Sequence, residues 1–108
     1  MGFSKMYVDL EAQHEIMIGN KNYRGDFYIN NIVFNKSSEK TINRPLIVEL
    51  DGYDYHSNKK QMNYDYEREN ELKLAGYDIM RFTGSQVYNN PLECIEKIHK
   101  YCKQSGWK

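Results

Sequence analysis

Leu46-Ile47-Val48-Glu49-Leu50-Asp51-Gly52, with His56 four residues beyond the glycine, is the stretch on which the reading of this chain turns. An apolar run ends in two carboxylates spaced i, i+2, and a turn glycine follows. On a β-strand, side chains two apart point to the same face. Glu49 and Asp51 are therefore expected side by side, with Cα atoms roughly 6.5–7 Å apart from the strand rise. Leu46, Val48 and Leu50 would face the other way, into a core. Two negative charges at the end of a strand are costly unless a cation lies between them, and a metal ion is the usual solution.

Working outward, the next constellation is Tyr23-Arg24-Gly25-Asp26-Phe27. If the two strands pair as a hairpin, Asp26 lies beside Glu49 and Asp51, and three carboxylates from adjacent strands converge. Such a site suits Mg²⁺, which takes oxygen ligands octahedrally and keeps several waters for exchange. An ion held this way can contact a phosphoryl oxygen and acidify a water, which suits phosphodiester hydrolysis. Each acid alone reads equally as a solvated surface group; the third acid turns the pair into a candidate site.

The rest of the chain reads as one α/β (α+β) domain of 108 residues, long enough for one core. Residues 8–18 predict a first strand, ending at the turn Gly19-Asn20-Lys21-Asn22. Residues 23–34 predict a second strand, with Phe27 and Ile29 alternating against Asp26, Tyr28 and Asn30. The polar segment 35–44 reads as a solvated loop, and residues 45–51 as a third strand with Pro45 at its first position. Residues 58–75 predict a helix capped by Gly76, with a thin stripe of Met62, Tyr66, Leu72 and Ala75. Residues 77–83 predict a fourth strand, Met80 and Phe82 facing one way, Ile79 and Arg81 the other. Asn90-Pro91-x-Glu93 opens a last helix with a stripe of Leu92, Ile95, Ile98 and Cys102. The expected order is β-β-β-α-β-α, a mixed sheet of about four strands flanked by helices.

Composition narrows the function classes only a little. Fifteen acidic residues balance fifteen basic ones, so no global basic field marks a nucleic-acid binder. Mean hydropathy is low at −0.85, yet 14% aromatics, ten of them Tyr, argue against disorder. No apolar run is long enough to cross a membrane, and no signal-peptide pattern is present. Cys94 and Cys102 fall roughly 12 Å apart along one helix and cannot pair within it. Free thiols fit a cytoplasmic protein, and no second Cys/His pair suggests zinc.

Asp26-Phe27, then Ile47-Val48-Glu49-Leu50-Asp51-Gly52 with His56, then Asp65-x-x-Arg68-x-x-x-Leu72-x-x-x-Gly76-Tyr77, then Met80-Arg81-Phe82 form an ordered series. In order and spacing it resembles the PD-(D/E)XK nuclease superfamily, in the branch similar to very-short-patch-repair endonucleases and their small relatives. The likeness runs from about Gln13 to Val87. It implies a restriction-endonuclease-like fold, DNA as partner, and a metal-dependent endonuclease of repair or restriction using Mg²⁺, with Mn²⁺ as substitute. It makes Asp26 the first motif acid and Glu49 the second, with Asp51 as a further ligand and His56 assisting the attacking water. By spacing alone His56 reads as a loop histidine; the resemblance gives it the catalytic role. His14 and His99 read as surface or packing residues.

Two departures stand out. The superfamily's usual lysine, two residues after the second acid, is here Asp51, as is frequent in that branch. Lys59, Lys60, Gln61 or Arg81 are the candidates to replace its charge. Arg81, on the acids' side of the sheet, would pair with an acid or a DNA phosphate. Lys59, Lys60, Gln61 and Arg68 would contact phosphates or form a solvated face, Arg68 also pairing locally with Asp65. The second departure is that only about seven residues precede the first strand, where a helix is typical. The chain would then be a fragment of a longer protein, lack that helix, or have the face covered by a second copy or a larger partner. A rival reading is an inactive nuclease-fold module for DNA binding or assembly; an RNA or branched-DNA nuclease is a third.

Overall fold

A computed structural model describes residues 7–35, 38–51 and 59–107. The elements are β1 (Tyr7–Ile18), β2 (Lys21–Asn35), β3 (Ser38–Asp51), α1 (Lys59–Leu74), β4 (Asp78–Thr83), α2 (Gly84–Asn89) and α3 (Pro91–Ser105). The strands form one mixed sheet in the order β1-β2-β3-β4, antiparallel except for the parallel pair β3/β4. A parallel neighbour demands a crossover, and α1 supplies it. The expected α+β architecture is thus the observed one, with α2 as an added turn of helix.

Period-two alternation along β3 divides the core into two layers. Leu46 and Val48 join Ile29, Ile32, Ile42 and Phe82 on one face, covered by Cys94 and Cys102 of α3. Ile47 joins Ile16, Tyr23 and Leu72 of α1 on the other. Met80 packs with the first layer and Ile79 with the second, as alternation in β4 requires. Burial raises the Cys102 thiol to about 11, which keeps it protonated and inert.

The β1/β2 hairpin turns through Gly19 and Asn20, with Ile18 opposite Lys21. Gly19 takes φ +59, the conformation a two-residue turn asks of its first central residue. Gly25 is required for a different reason: a Cβ there would stand 2.7 Å from Ile47 Cγ2, deep in the second layer. Gln13 has φ +55 in the middle of β1, between Ala12 and His14, which pair with Phe27 and Gly25 of β2.

The polar segment expected as a loop is instead largely strand, since β3 begins at Ser38. Thr41 pairs with Asn31 and donates to its side-chain oxygen at 3.0 Å, so backbone pairing and a polar cross-strand bond hold this half. Register then slips: Thr41 faces Asn31, yet Leu46 faces Ile29, leaving 42–45 as a bulge. Pro45 thus sits at a bulge rather than at the start of the strand, and there its missing N–H disrupts no ladder. The bulge anchors its surroundings. Arg44 pairs with Asp78 at 3.1 Å and donates to the Lys73 and Tyr77 carbonyls. The Tyr101 hydroxyl lies 2.9 Å from the Arg44 carbonyl and 2.6 Å from Asp78.

That tyrosine sets the rotation of α3 and corrects its expected stripe. Cys94, Ile98, Tyr101 and Cys102 face the sheet, while Leu92 is 73% and Ile95 48% exposed. Asn90 holds the N-cap position, but its side chain makes no capping bond. In α1, Met62 and Tyr66 are exposed, as is Ala75 in the turn just after it, and Leu72 is the fully buried residue of the expected stripe. The omitted helix α2 is opened by a capping box: Thr83 Oγ1 accepts from Gln86 N, and Gln86 Oε1 accepts from Thr83 N.

The close approach at Gly25 is testable. Gly25→Ala should destabilise the fold by about 1–3 kcal/mol through overpacking. Urea unfolding should show the double variant Gly25→Ala/Ile47→Ala less destabilised than the sum of the two single variants, because alanine at 47 removes the Cγ2 that the new Cβ would meet. An unchanged midpoint for Gly25→Ala alone would contradict the account.

Candidate active site

The site lies where β2 stops pairing with β3. The last paired residues are Phe27 and Val48. Just beyond, Asp26 substitutes for the ladder: its Oδ2 accepts from Leu50 N at 2.8 Å. A charged acceptor makes this stronger than an ordinary backbone bond. It also places the Asp26 carboxylate against the residue that lies between Glu49 and Asp51. The three expected acids are therefore gathered at one end of adjacent strands, and Leu50 itself is 41% exposed beyond the end of the core.

Glu49 and Asp51 share the α1 side of the sheet with Ile47, and each meets an arginine. Glu49 Oε1 is 2.5 Å from Arg68 Nη2, with both side chains nearly buried. Arg68 also donates to the Arg24 carbonyl at 2.9 Å and lies over the Tyr23 ring, 5.8 Å from its centroid. The parallel register sets Arg81 beside Glu49, and its guanidinium reaches Asp51 at 3.3 Å and Glu69 at 2.5 Å. Glu49, Asp51, Arg68 and Arg81, with Arg24, Leu50, Tyr64 and Asp65, line a cleft of about 290 Å³.

Burial pushes the Glu49 carboxyl above its ordinary range and Asp26 pushes the same way, while Arg68 and then Arg81 pull it down. Burial likewise works against the Arg81 charge, but Glu69, Asp51 and Glu49 outweigh it and hold that guanidinium firmly protonated. Glu49 Oε1 meets Arg68 as a close ionic contact but, among the described residues, has no aligned hydrogen-bond donor.

The oxygen-only donors and this under-satisfied carboxylate oxygen fit a hard divalent cation. Among the described residues, however, no three acidic, histidine or cysteine side chains converge closely enough to hold an ion. Glu49 and Asp51 are turned to their arginines instead. The donor set fits chemically, and a cation would have to take the carboxylates from the guanidinium groups.

Of the residues singled out in the sequence, Asp26, Glu49, Asp51 and Arg81 are brought together. His56 lies outside the described residues, as do the side chains of Lys59 and Gln61 in the first turn of α1. Lys60 is exposed and is not part of the cleft wall. Arg68 corrects its expected place: it is 9% exposed and turned inward to Glu49, not set out on a solvated helix face. Tyr23 is a residue to which the sequence reading assigns no role. Its hydroxyl donates to Glu71, which also pairs with Lys21 at 3.0 Å. The readable signal was Arg68 four residues before Leu72, on one face of a helix with little else apolar to bury.

A four-stranded mixed sheet flanked by helices, with acids gathered at the end of two neighbouring strands, defines a restriction-endonuclease-like domain. The sequence model of the family REase_MTES_1575 matches residues 4–101, nearly the whole chain. The protein belongs to that family. Comparison with curated proteins and with solved structures found no match. Among the described residues no helix is long and apolar enough to cross a membrane.

The raised Glu49 carboxyl has a defined sign. The folded chain holds this proton more tightly than the unfolded chain, so ionisation of Glu49 opposes folding. Its contribution falls away as pH rises from the ordinary glutamate range through the raised value, and is constant above it. Side-chain carboxyl NMR should find the Glu49 midpoint above the ordinary 4.5, and further up in Arg68→Met, which removes its chief stabilising charge. A midpoint that falls on removing Arg68 would refute the pairing.

Proposed function

We propose that this chain is a metal-dependent DNA endonuclease domain, in the branch that resembles very-short-patch-repair endonucleases. The observation that supports it most is the Asp26–Leu50 hydrogen bond, which sets a third carboxylate from β2 beside Glu49 and Asp51. Asp26, Glu49 and Asp51 would hold the ion. Mg²⁺, with Mn²⁺ as substitute, would supply Lewis-acid polarisation of the phosphodiester and a more acidic water.

The protein's own groups do the rest. Asp26 fixes the end of β3 through Leu50, so the strand carrying both other acids cannot drift from β2. Arg81, drawn to Asp51 and Glu69, holds positive charge at the cleft wall, where negative charge develops on the phosphoryl group. His56 takes the proton of the attacking water, a task suited to a side chain that titrates near neutrality.

A second reading has its own support. Glu49 and Asp51 are already neutralised by arginines, as they would be in a nuclease-fold module that binds DNA or assembles without cleaving. Calorimetric titration with Mn²⁺ separates the two, since a module without a metal site gives no binding heat.

Plasmid cleavage with Mg²⁺ tests the nuclease reading directly. Asp26→Asn keeps an acceptor for Leu50 N, and Glu49→Gln keeps the shape of its side chain. Each should fold and yet lose activity by about 100-fold or more. Wild-type rates in both variants would rule out the assignment.

A further inference from the structure

Three arginines line the cleft, and their settings differ. Arg24 has a side chain 62% exposed and a loose 3.5 Å contact with Glu15. Arg81 is shared between two carboxylates, Asp51 and Glu69. Arg68 is the buried one, and it has supports other than a carboxylate. The Arg24 carbonyl accepts from its Nη2, and the Tyr23 ring lies beneath its guanidinium. Tyr23 is itself 5% exposed, and its hydroxyl is tied to Glu71, which is tied in turn to Lys21. A guanidinium at 9% exposure is expensive to keep, and a packed apolar residue would serve stability as well.

These supports have a consequence when Glu49 is taken by a cation. Arg68 would then lose Glu49 but keep the carbonyl and the ring, and so would stay in place at the cleft wall. A planar, always-charged fork would then face the cleft with a donor released for an anion. Phosphate oxygens match that fork.

Building on the nuclease reading, we propose that Arg68 is a phosphate-binding cation of this site beside Arg81, exchanging Glu49 for a non-bridging oxygen of the scissile phosphodiester. Tyr23 is its positioning residue. Arg68 thus belongs in the reaction centre, a place that Lys59, Lys60, Gln61 and Arg81 were the candidates to fill.

The test combines kinetics with a direct view of the guanidinium. In Mg²⁺-dependent plasmid cleavage, Arg68→Met should lower kcat by about 100-fold or more with KM little changed, as for a contact strengthened in the transition state. Arg68→Lys should retain more of the rate, and free guanidinium should restore part of it to Arg68→Ala. Tyr23→Phe should give a smaller kcat loss with the melting temperature nearly unchanged. A melting loss without a kcat loss in Arg68→Met would make Arg68 merely structural and overturn the proposal.

Should Arg68→Met not fold, side-chain NMR of the wild-type protein decides. The Arg68 guanidinium signal should shift when a short DNA duplex is added with Ca²⁺ in place of Mg²⁺, and an unmoved signal overturns the proposal. The two readings also fail separately. A wild-type protein that does not cleave, but whose Arg68 signal moves with DNA, loses the nuclease reading and keeps the phosphate site. Full cleavage by Arg68→Met does the reverse.

Discussion

The structure depends on β3 being buried on both faces while its last two residues on one face are acids. Leu46 and Ile47 are fully buried on opposite sides of the sheet, so the strand cannot rotate or slip by one residue without exposing one layer and burying charge in the other. Glu49 and Asp51 inherit their direction from this constraint. Everything else at the cleft is placed relative to them: Asp26 through the Leu50 amide, Arg81 through the parallel register, and Arg68 through the helix that makes the crossover.

Much of this was legible in the chain because the two-residue period is strong where burial is strong. The alternation around Phe27–Ile29, Leu46–Leu50 and Ile79–Phe82 makes visible the strands, their inward faces and the side of the sheet that Glu49 and Asp51 share. Three features were hidden, each for a physical reason. The first half of β3 is polar because backbone pairing and the Thr41–Asn31 bond hold it, and hydrophobic pattern cannot report that. The stripe of α3 was misread because Tyr101 follows its hydrogen-bond partners Arg44 and Asp78, distant in sequence, and so turns Leu92 and Ile95 outward. Helix α2 carried a visible signal, Thr83-x-x-Gln86, but it is too short to show a period. The inward turn of Arg68 was illegible because an arginine on a polar helix looks the same whether it faces water or a buried acid.

The electrostatics of the cleft explain how a chain of zero net charge can suit an anionic partner. Around the cleft, arginines alternate with carboxylates, so the surroundings are balanced until one sign is taken up by something else. Neutralising carboxylates with a divalent ion would leave the guanidinium charge uncompensated at the same spot. Attraction for phosphate would then be local and short-ranged, little felt beyond a Debye length, in contrast to a basic surface that steers from afar. On the nuclease reading, affinity for DNA becomes conditional on the metal.

Gln13 has a consequence of another kind. β1 is an edge strand twelve residues long, and an unbroken edge of that length is a template for pairing with other chains. A left-handed residue near its midpoint interrupts the straight row of exposed amides and carbonyls. Two short runs remain, and they carry Asp9, Glu11 and Glu15. The kink at Gln13 therefore makes this edge, among the described residues, a poorer template for fibrous self-association.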